Sequence, residues 1–256
     1  MTLPREERLK VLGLSPVWRL RDAKPTAEAT TTACGPSAYG EGETASAPSP
    51  MAAQASLSSA ASKQSSIAAM DWEELRQAVQ DCQGCTLAST RDKAVFGVGD
   101  QHADWLIIGE APGEDEDRHG EPFVGQAGKL LDAMLAAVGL RRGKGVYIAN
   151  ILKSRPPGNR DPRPDEVAAC LPYLERQIDL IKPKLILVLG RIAAQNLLRT
   201  DTAISRLRGQ VHEYRGIPLI VTYHPAYLLR SLADKAKAWE DLCLAQDTMA
   251  AIKKSS

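Results

Sequence analysis

Two cysteines stand three positions apart in the segment DCQGC, which runs from Asp81 to Cys85. The chain has 5 cysteines in 256 residues, and a CxxC pair can hold half of a metal site, form a redox couple or have no chemical role. The odd number of cysteines and an N-terminal segment without an apolar core predict a non-secreted protein of the reducing cytoplasm. Any further ligands must come from elsewhere in the chain.

A second group of reactive residue types lies in GEAPGEDEDRHGEPFVGQAG (109–128). Its glycine spacing fits neither a Walker nor a Rossmann loop, and its carboxylates would repel phosphate. We interpret the segment as a pocket floor, in which Gly109, Glu110 and Ala111 approach a ligand and Phe123 stacks on it. The alternative is a plain polar loop.

Asn150 is followed by the segment ILKSRPPGNRDPRPDE. An asparagine supplies one donor and one acceptor and can bond an amide-like ring edge, although a core or turn asparagine is the alternative. The next basic residues are Lys153, Arg155, Arg160 and Arg163. Among prolines they predict a stiff loop suited to backbone phosphates, with a solvated face as the alternative.

The segment YHPAYLLR (223–230) carries a third candidate group. His224 precedes a proline, which restricts it to an extended geometry. Leu228 and Leu229 beside Arg230 are interpreted as a wedge for a base stack with an arginine on phosphate. The alternative is that both leucines begin the next helix and pack inward.

These segments follow continuous apolar runs, which are typical of strands buried on both faces. The predicted strands are WLIIGEAP (105–112), VYIANIL (146–152), KLILVLG (184–190) and IPLIVTYHP (217–225). Segments with helical apolar spacing separate them. The pattern predicts an α/β fold with three αβα layers around a central, mostly parallel four-stranded sheet, whose ligands bind at the carboxyl ends of the strands.

The formal net charge of +1 argues against a polybasic binder but allows a local basic face. No apolar run reaches the roughly 18 residues of a membrane span. Residues 70–252 are predicted to form the globular domain, and residues 22–69, rich in Ala, Ser, Thr and Pro, a disordered tether. Within the N-terminal segment 1–21, residues 5–21 with Trp18 are interpreted as a docked helix or a short interaction motif.

Together these segments resemble family 4 uracil-DNA glycosylases, the iron–sulfur branch of that superfamily. The motifs that carry the resemblance are CQGC, GEAPG…GEPFVGQAG, YIANILKSRPPGNRDP, LGRIAAQNLL and SRLRGQVHEYRGIPLIVTYHPAYLLR. The resemblance implies a uracil-DNA glycosylase-like fold and an enzyme that flips uracil from DNA and hydrolyses its N-glycosidic bond, which starts base excision repair. Residues 5–21 faintly resemble the N-terminal peptide of the bacterial clamp-loader psi subunit, which implies a replisome or clamp-loader partner.

The family resemblance assigns roles in the pocket. Phe123 would stack on uracil, Asn150 would bond its amide edge, and His224 would donate to a uracil oxygen as negative charge develops. The backbone and side chains of Gly109, Glu110 and Ala111 would line the pocket.

The resemblance also leaves two carboxylates as candidates for the activation of water, Glu110 and Glu116. Glu116 would in addition shape the pocket near C5 of the ring and so exclude the methyl group of thymine. Contacts to DNA would come from Arg155, Arg160, Leu228, Leu229 and Arg230.

A 4Fe–4S cluster held by four cysteines is the cofactor that the resemblance implies. Cys82, Cys85 and Cys170 match three of the ligand positions, but Ser154 stands at the fourth. We expect a 4Fe–4S cluster with Ser154 or another non-cysteine ligand on the fourth iron. A 3Fe–4S cluster, a zinc ion or the loss of the cluster are the alternatives. The cluster would position the basic loop and would not take part in bond cleavage.

The leading hypothesis is therefore a monomeric uracil-DNA glycosylase that acts on uracil-containing DNA in the cytoplasm, at the nucleoid. One alternative is a non-catalytic DNA-damage-binding or replisome adaptor protein that uses the Trp18 motif. Another is specificity for a different deaminated base. Because an adaptor needs no uracil-shaped pocket, the presence of Glu110, Phe123, Asn150 and His224 favours the enzyme.

Overall fold

Four parallel strands form the centre of the sheet in the computed structural model, which describes residues 66–255. The strands are β1 Val98–Gly99, β2 Trp105–Gly109, β3 Val146–Asn150, β4 Leu185–Leu189, β5 Val211–Tyr214 and β6 Ile217–Thr222. Their spatial order is β1-β3-β2-β4-β6-β5. The strands β3, β2, β4 and β6 are mutually parallel, whereas β1 and β5 pair antiparallel with their neighbours.

Helices cover the sheet on both sides. In the described part of the chain they are α1 Trp72–Gln80, α2 Glu114–His119, α3 Gln126–Ala137, α4 Pro164–Ile181, α5 Arg191–Leu198, α6 Ile204–Leu207, α7 Pro225–Leu228 and α8 Lys235–Ser255. Short 3₁₀ turns span Thr86–Ser89, Pro157–Asn159 and Leu232–Asp234. No helix among residues 66–255 combines the length and the apolar composition that crossing a bilayer requires.

The central strands are apolar throughout because both of their faces are covered. Along β2, Leu106 and Ile108 pack in the cluster that includes residues of α4 and α5. Trp105 and Ile107 pack in a second cluster with α3 and α8. The predicted α/β class with three αβα layers is therefore confirmed.

The two outer strands extend the predicted four-stranded sheet to six strands. β1 has 2 residues, both partly buried, and β5 has 4 residues, which alternate between exposed and partly buried. Neither strand contains a continuous apolar run, because each has a neighbouring strand on one side only. The apolar pattern therefore predicted the centre of the sheet and missed its edges.

The parallel register brings the candidate residues to one edge of the sheet. Gly109 at the end of β2 pairs with Asn150 at the end of β3, and Thr222 at the end of β6 pairs with Leu189 at the end of β4. His224 follows two residues after β6. The three segments that we predicted to carry chemistry therefore meet at the carboxyl ends of the strands.

The packed region is slightly longer than the predicted domain. Ile67, which we placed at the end of the tether, is 2% exposed and packs against α1. At the other end, α8 continues past residue 252 to Ser255. The N-terminal motif 1–21, and the tether up to residue 65, lie outside the described residues, so these predictions are not tested.

Candidate active site

A pocket of about 430 Å³ opens where the loops after β2, β3 and β6 meet. Six residues predicted to bind or react with a substrate line it, namely Glu110, Ala111, Glu116, Phe123, Asn150 and His224. Two of the predicted DNA-contacting residues, Arg160 and Arg230, also line it. The fold therefore brings together side chains that are far apart in the sequence.

Phe123 forms an aromatic wall of the pocket. Its ring centroid lies 5.5 Å from that of His224, with 31° between the ring planes. A Cβ atom on Gly109 would lie 2.7 Å from Cζ of Phe123 and would also collide with Oδ1 of Asn150. Only glycine therefore leaves room for both side chains at the end of β2.

Asn150 offers an acceptor that no protein group uses. Its side chain is 2% exposed, and its Oδ1 atom has no hydrogen-bond partner among residues 66–255. Because buried polar atoms are nearly always paired in folded proteins, this oxygen is a candidate ligand contact. The main-chain carbonyl of Asn150 accepts a 3.0 Å hydrogen bond from Nζ of Lys153, which fixes the end of β3.

Lys153 is buried, so our assignment of this residue to an exposed basic loop is wrong. Its Nζ also donates to the carbonyl of Phe96 at 3.2 Å and to Oε1 of Gln177 at 2.7 Å. Burial lowers the pKa of Lys153 to about 7. The side chain satisfies acceptors behind Asn150 instead of facing a phosphate.

His224 is held as a neutral donor. Its Nδ1 accepts the N–H of Ala226 at 3.2 Å, at the start of α7. Because Nδ1 is an acceptor, the neutral ring carries its proton on Nε2. Burial lowers the pKa of His224 to about 4, although Glu116 opposes this shift. The ring is therefore uncharged at neutral pH.

The environment of Glu110 makes its carboxylate more basic. Burial, followed by the negative charge of Asp161, raises the pKa of Glu110 to about 7, and Arg191 opposes the shift. Arg191 donates to Asp161 at 3.0 Å, which partly neutralises both charges. A carboxylate with such a pKa can accept a proton near neutral pH.

Glu116 is instead committed to backbone groups. One of its oxygens accepts the N–H groups of Val124 at 2.9 Å and Gly125 at 3.2 Å. The other accepts the N–H of Gly113 at 3.0 Å, at the start of α2. The carboxylate therefore ties the two halves of the segment 109–128 together. Of the two candidates, Glu110 has the environment of a general base.

The arginines of the basic loop bind acidic and amide groups of their own chain. Arg155 donates to Asn159 at 2.8 Å and to Glu114 at 3.4 Å. Arg160 forms a two-pronged ion pair with the buried Glu166, at 2.9 and 2.5 Å. The hydrogen bonds from Arg160 lower the pKa of Glu166. These bonds hold the loop in shape beside the pocket.

The structure separates the two leucines that we predicted as a wedge. Leu228 is 1% exposed and packs in the core, so its assignment as a DNA contact is wrong. Leu229 is 44% exposed, and Arg230 beside it is exposed as well. Leu228 is the last residue of α7 and Leu229 is its C-cap, and successive helical residues point in directions about 100° apart. A single leucine is available for insertion.

The predicted cluster ligands lie in two hydrogen-bonded groups. The thiol of Cys170 donates to Cys85, which lowers the pKa of Cys85 to about 6 and raises that of Cys170. Cys82 interacts with the hydroxyl of Tyr173, and the buried Ser154 accepts a 3.0 Å hydrogen bond from Arg91. Among residues 66–255, no three His, Cys, Asp or Glu side chains form a group that could hold a metal ion.

Three charged residues near the site were not predicted. Asp161 and Arg191 influence Glu110, and Arg142 donates to the carbonyl groups of Pro122 and Phe123. Asp161 lies within the basic segment that we singled out, where its charge could have been noticed. Arg142 lies in a turn, about twenty residues from its partners, and no local pattern points to it.

The comparisons with known proteins agree with this fold and pocket. The family profile of the uracil DNA glycosylase superfamily matches residues 96–243. The chain belongs to this superfamily. It is 48% identical to the type-4 uracil-DNA glycosylase of Archaeoglobus fulgidus over 165 residues. The aligned stretch covers 61% of this chain and 82% of the relative. It is 41% identical over 183 residues to that of Pyrobaculum aerophilum, 68% of this chain and 93% of the relative.

Proposed function

We propose that this protein is a uracil-DNA glycosylase, which flips uracil out of DNA and hydrolyses its N-glycosidic bond to start base excision repair. The observation that carries the proposal is the buried Oδ1 of Asn150, beside the ring of Phe123 and without a partner among residues 66–255. The high identity to two enzymes named type-4 uracil-DNA glycosylases supports the same activity. An adaptor protein would not require this pocket.

The direct test is the release of free base from oligonucleotides that differ in one position. We expect the full-length protein to release uracil from single-stranded DNA and from a U:G pair, and to release no base from the matched cytosine strand. Release of hypoxanthine without uracil would instead indicate specificity for another deaminated base. Binding without release of any base would favour the adaptor.

Recognition of uracil would come from stacking and from one polar edge. The N3–H group of uracil would donate to Oδ1 of Asn150, and the amide N–H of Asn150 would donate to O4. Cytosine presents an acceptor and a donor in the reverse order, so the same contact rejects it. Phe123 would provide the stacking face that recovers part of the cost of flipping.

Cleavage would be assisted by stabilisation of the negative charge that develops on the departing base. As the bond between C1′ and N1 breaks, its electron pair moves onto uracil, and Nε2–H of His224 would donate to a uracil oxygen. A water molecule would attack C1′, and Glu110 would accept its proton. Glu116 would hold the loops of the pocket in place. Arg155, Arg160, Leu229 and Arg230 would bind or wedge the DNA beside the site.

The raised pKa of Glu110 predicts a specific pH profile. Because only the ionised carboxylate accepts a proton, kcat/KM should rise with pH through about 7. Replacement Glu110→Gln should lower kcat/KM and remove this rise. His224, with a pKa of about 4, contributes nothing in that range. The measurement is kcat/KM between pH 5 and 9 for both proteins.

A rise near pH 7 that survives in Glu110→Gln would contradict this role. Lys153, whose pKa also lies at about 7, could not take over this role, because it does not line the pocket and its Nζ donates to three acceptors behind Asn150. Replacement Asp161→Asn provides the matched control, because loss of its charge should shift the rise toward lower pH without removing it.

We further propose that Cys82, Cys85, Cys170 and Ser154 hold a 4Fe–4S cluster. The donor chemistry fits such a group, since three partly or fully buried thiols come from α4 and the turn after α1, and Cys85 and Cys170 are in contact. Cys82, which interacts with Tyr173, would have to move toward the other two thiols, because the three do not form a metal-binding group among residues 66–255. Ser154 would have to exchange its hydrogen bond with Arg91 for iron. The bound cluster would supply a tie between the basic loop and the 82–85 turn.

Iron and sulfide analysis of anaerobically purified protein tests this proposal. We expect about four iron and four sulfide per chain, with binding strengthened by Ser154→Cys and unchanged by the control Cys243→Ser. Three iron per chain would indicate that Ser154 is not a ligand. Zinc alone, or no metal, would contradict the cluster.

The proposed activity also defines partners and location. The substrate would be uracil-containing chromosomal DNA, which would place a monomeric enzyme in the cytoplasm at the nucleoid. Residues 5–21, which lie outside the described residues, would bind a replisome or clamp-loader protein. Sequence resemblance alone supports this last point.

A further inference from the structure

Arg142 contacts the pocket from behind, through backbone atoms. It lies in the turn between α3 and β3, and its Nη1 donates to the carbonyl of Pro122 at 2.9 Å. Its Nη2 donates to the carbonyl of Phe123, also at 2.9 Å. Its Nε is paired with Asp132 at 3.1 Å. One planar guanidinium therefore binds two successive carbonyl groups and is itself held by a carboxylate.

The two backbone N–H groups that follow Phe123 are bound by a carboxylate, whose charge is opposite to that of Arg142. Glu116 accepts the N–H of Val124 at 2.9 Å and that of Gly125 at 3.2 Å. The peptide between Phe123 and Val124 thus has a cation on its oxygen and an anion on its N–H. Hydrogen bonds to ionised groups are stronger than neutral ones, so this backbone is held firmly on both sides.

Such support matters because Phe123 has an unfavourable backbone conformation. Its φ of +56° lies in the left-handed region, which bulky residues rarely adopt and which persists only where the surroundings enforce it. Gly128 accommodates the same geometry, since a Cβ atom there would collide with the carbonyl of Phe123. A return of Phe123 to a negative φ would redirect its ring relative to His224.

We propose that Arg142 is a positioning residue of the uracil pocket. It holds Phe123 in the left-handed conformation, and so keeps the aromatic ring where a flipped base stacks. The proposal rests on the proposed glycosylase function. Arg142 touches neither the base nor the reacting atoms, and its effect passes through Phe123. A lysine carries the charge but not the planar fork, so it can replace the arginine only in part.

The test compares Arg142→Ala and Arg142→Lys with Arg141→Ala, a matched control that removes the neighbouring, exposed arginine. We expect Arg142→Ala to raise the inhibition constant of free uracil and to lower the single-turnover cleavage rate, each by about tenfold, as loss of one stacking contact implies. Arg142→Lys should fall between this variant and wild type. Arg141→Ala should stay within about twofold of wild type, and all variants should bind uracil-free DNA equally.

A double-mutant cycle separates positioning from general destabilisation. In a Phe123→Ala background, Arg142→Ala should cause no further loss in uracil inhibition or cleavage. If Arg142→Ala does not fold, the same cycle with Arg142→Lys decides. The positioning role is wrong if wild type cleaves and Arg142→Ala has the same cleavage rate and uracil inhibition constant as Arg141→Ala. It is also wrong if Arg142→Ala still lowers cleavage in the Phe123→Ala background. A wild-type protein that releases no uracil would refute the glycosylase function itself.

Discussion

Replacement of Asn150 by alanine is expected to reduce kcat/KM for uracil release by about a thousandfold, which corresponds to about 4 kcal/mol. The side chain would make both polar contacts to the base edge, and its Oδ1 atom has no hydrogen-bond partner among residues 66–255 that would compete with the base. Loss of a contact that a site is built to make leaves the polar edge of the ligand unpaired in a buried pocket. The measurement is steady-state cleavage of a uracil oligonucleotide.

Asn196→Ala is the matched control for this loss. Asn196 lies on α5, outside the pocket lining, and its amide donates to the carbonyl of Ile192 at 2.8 Å. We expect the control to keep wild-type kcat/KM. A loss in Asn150→Ala no larger than in this control would mean that the buried acceptor does not read the base. Thermal melting of both variants checks that each is folded.

The position of the pocket could be predicted because it depends on the sheet alone. Apolar runs predicted β2, β3, β4 and β6, and polar residues directly after them had to meet at one edge once the strands were parallel. Gly109, Asn150 and His224 lie there for this reason. The pattern carries this information because a strand buried on both faces leaves no position for a polar residue except at its end.

Burial of single side chains beside the pocket could not be predicted in the same way. Leu228 and Leu229 are chemically alike, and only the docking of α7 against the core decides which one is buried. Lys153 looked like its arginine neighbours in a basic loop. Its burial depends on Gln177 and on the carbonyl of Phe96, two acceptors that the fold brings from distant positions.

Arg142 is the clearest case of information that only the three-dimensional contacts contain. Its partners are main-chain carbonyls, which every residue has, so no residue type marks them. The left-handed φ of Phe123 is equally hidden, because bulky residues give no sequence signal for that conformation. Six side chains that line the pocket were therefore predictable, whereas Arg142, which holds the backbone of one of them, was not.

Replacement of His224 by alanine is expected to lower kcat by about a hundredfold to a thousandfold, with little change in KM. The reason is that its Nε2–H would meet negative charge that exists on the base only as the glycosidic bond breaks, so its loss affects the transition state more than the bound substrate. Because burial lowers the pKa of His224 to about 4, the neutral donor should act unchanged from pH 5 to pH 9. His224→Gln, which retains an N–H donor, should recover part of the lost rate.

His212→Ala controls for the loss of an imidazole elsewhere in the fold. The ring of His212 lies on β5, outside the pocket lining, and its Nε2 bonds the carbonyl of Leu207 at 2.7 Å. Its replacement should leave kcat unchanged. If His224→Ala raised KM with an unchanged kcat, His224 would contribute to substrate binding alone. If instead the rate of Glu110→Gln fell as the pH rose from 6 to 8, a charged imidazole would be implicated in place of the neutral donor.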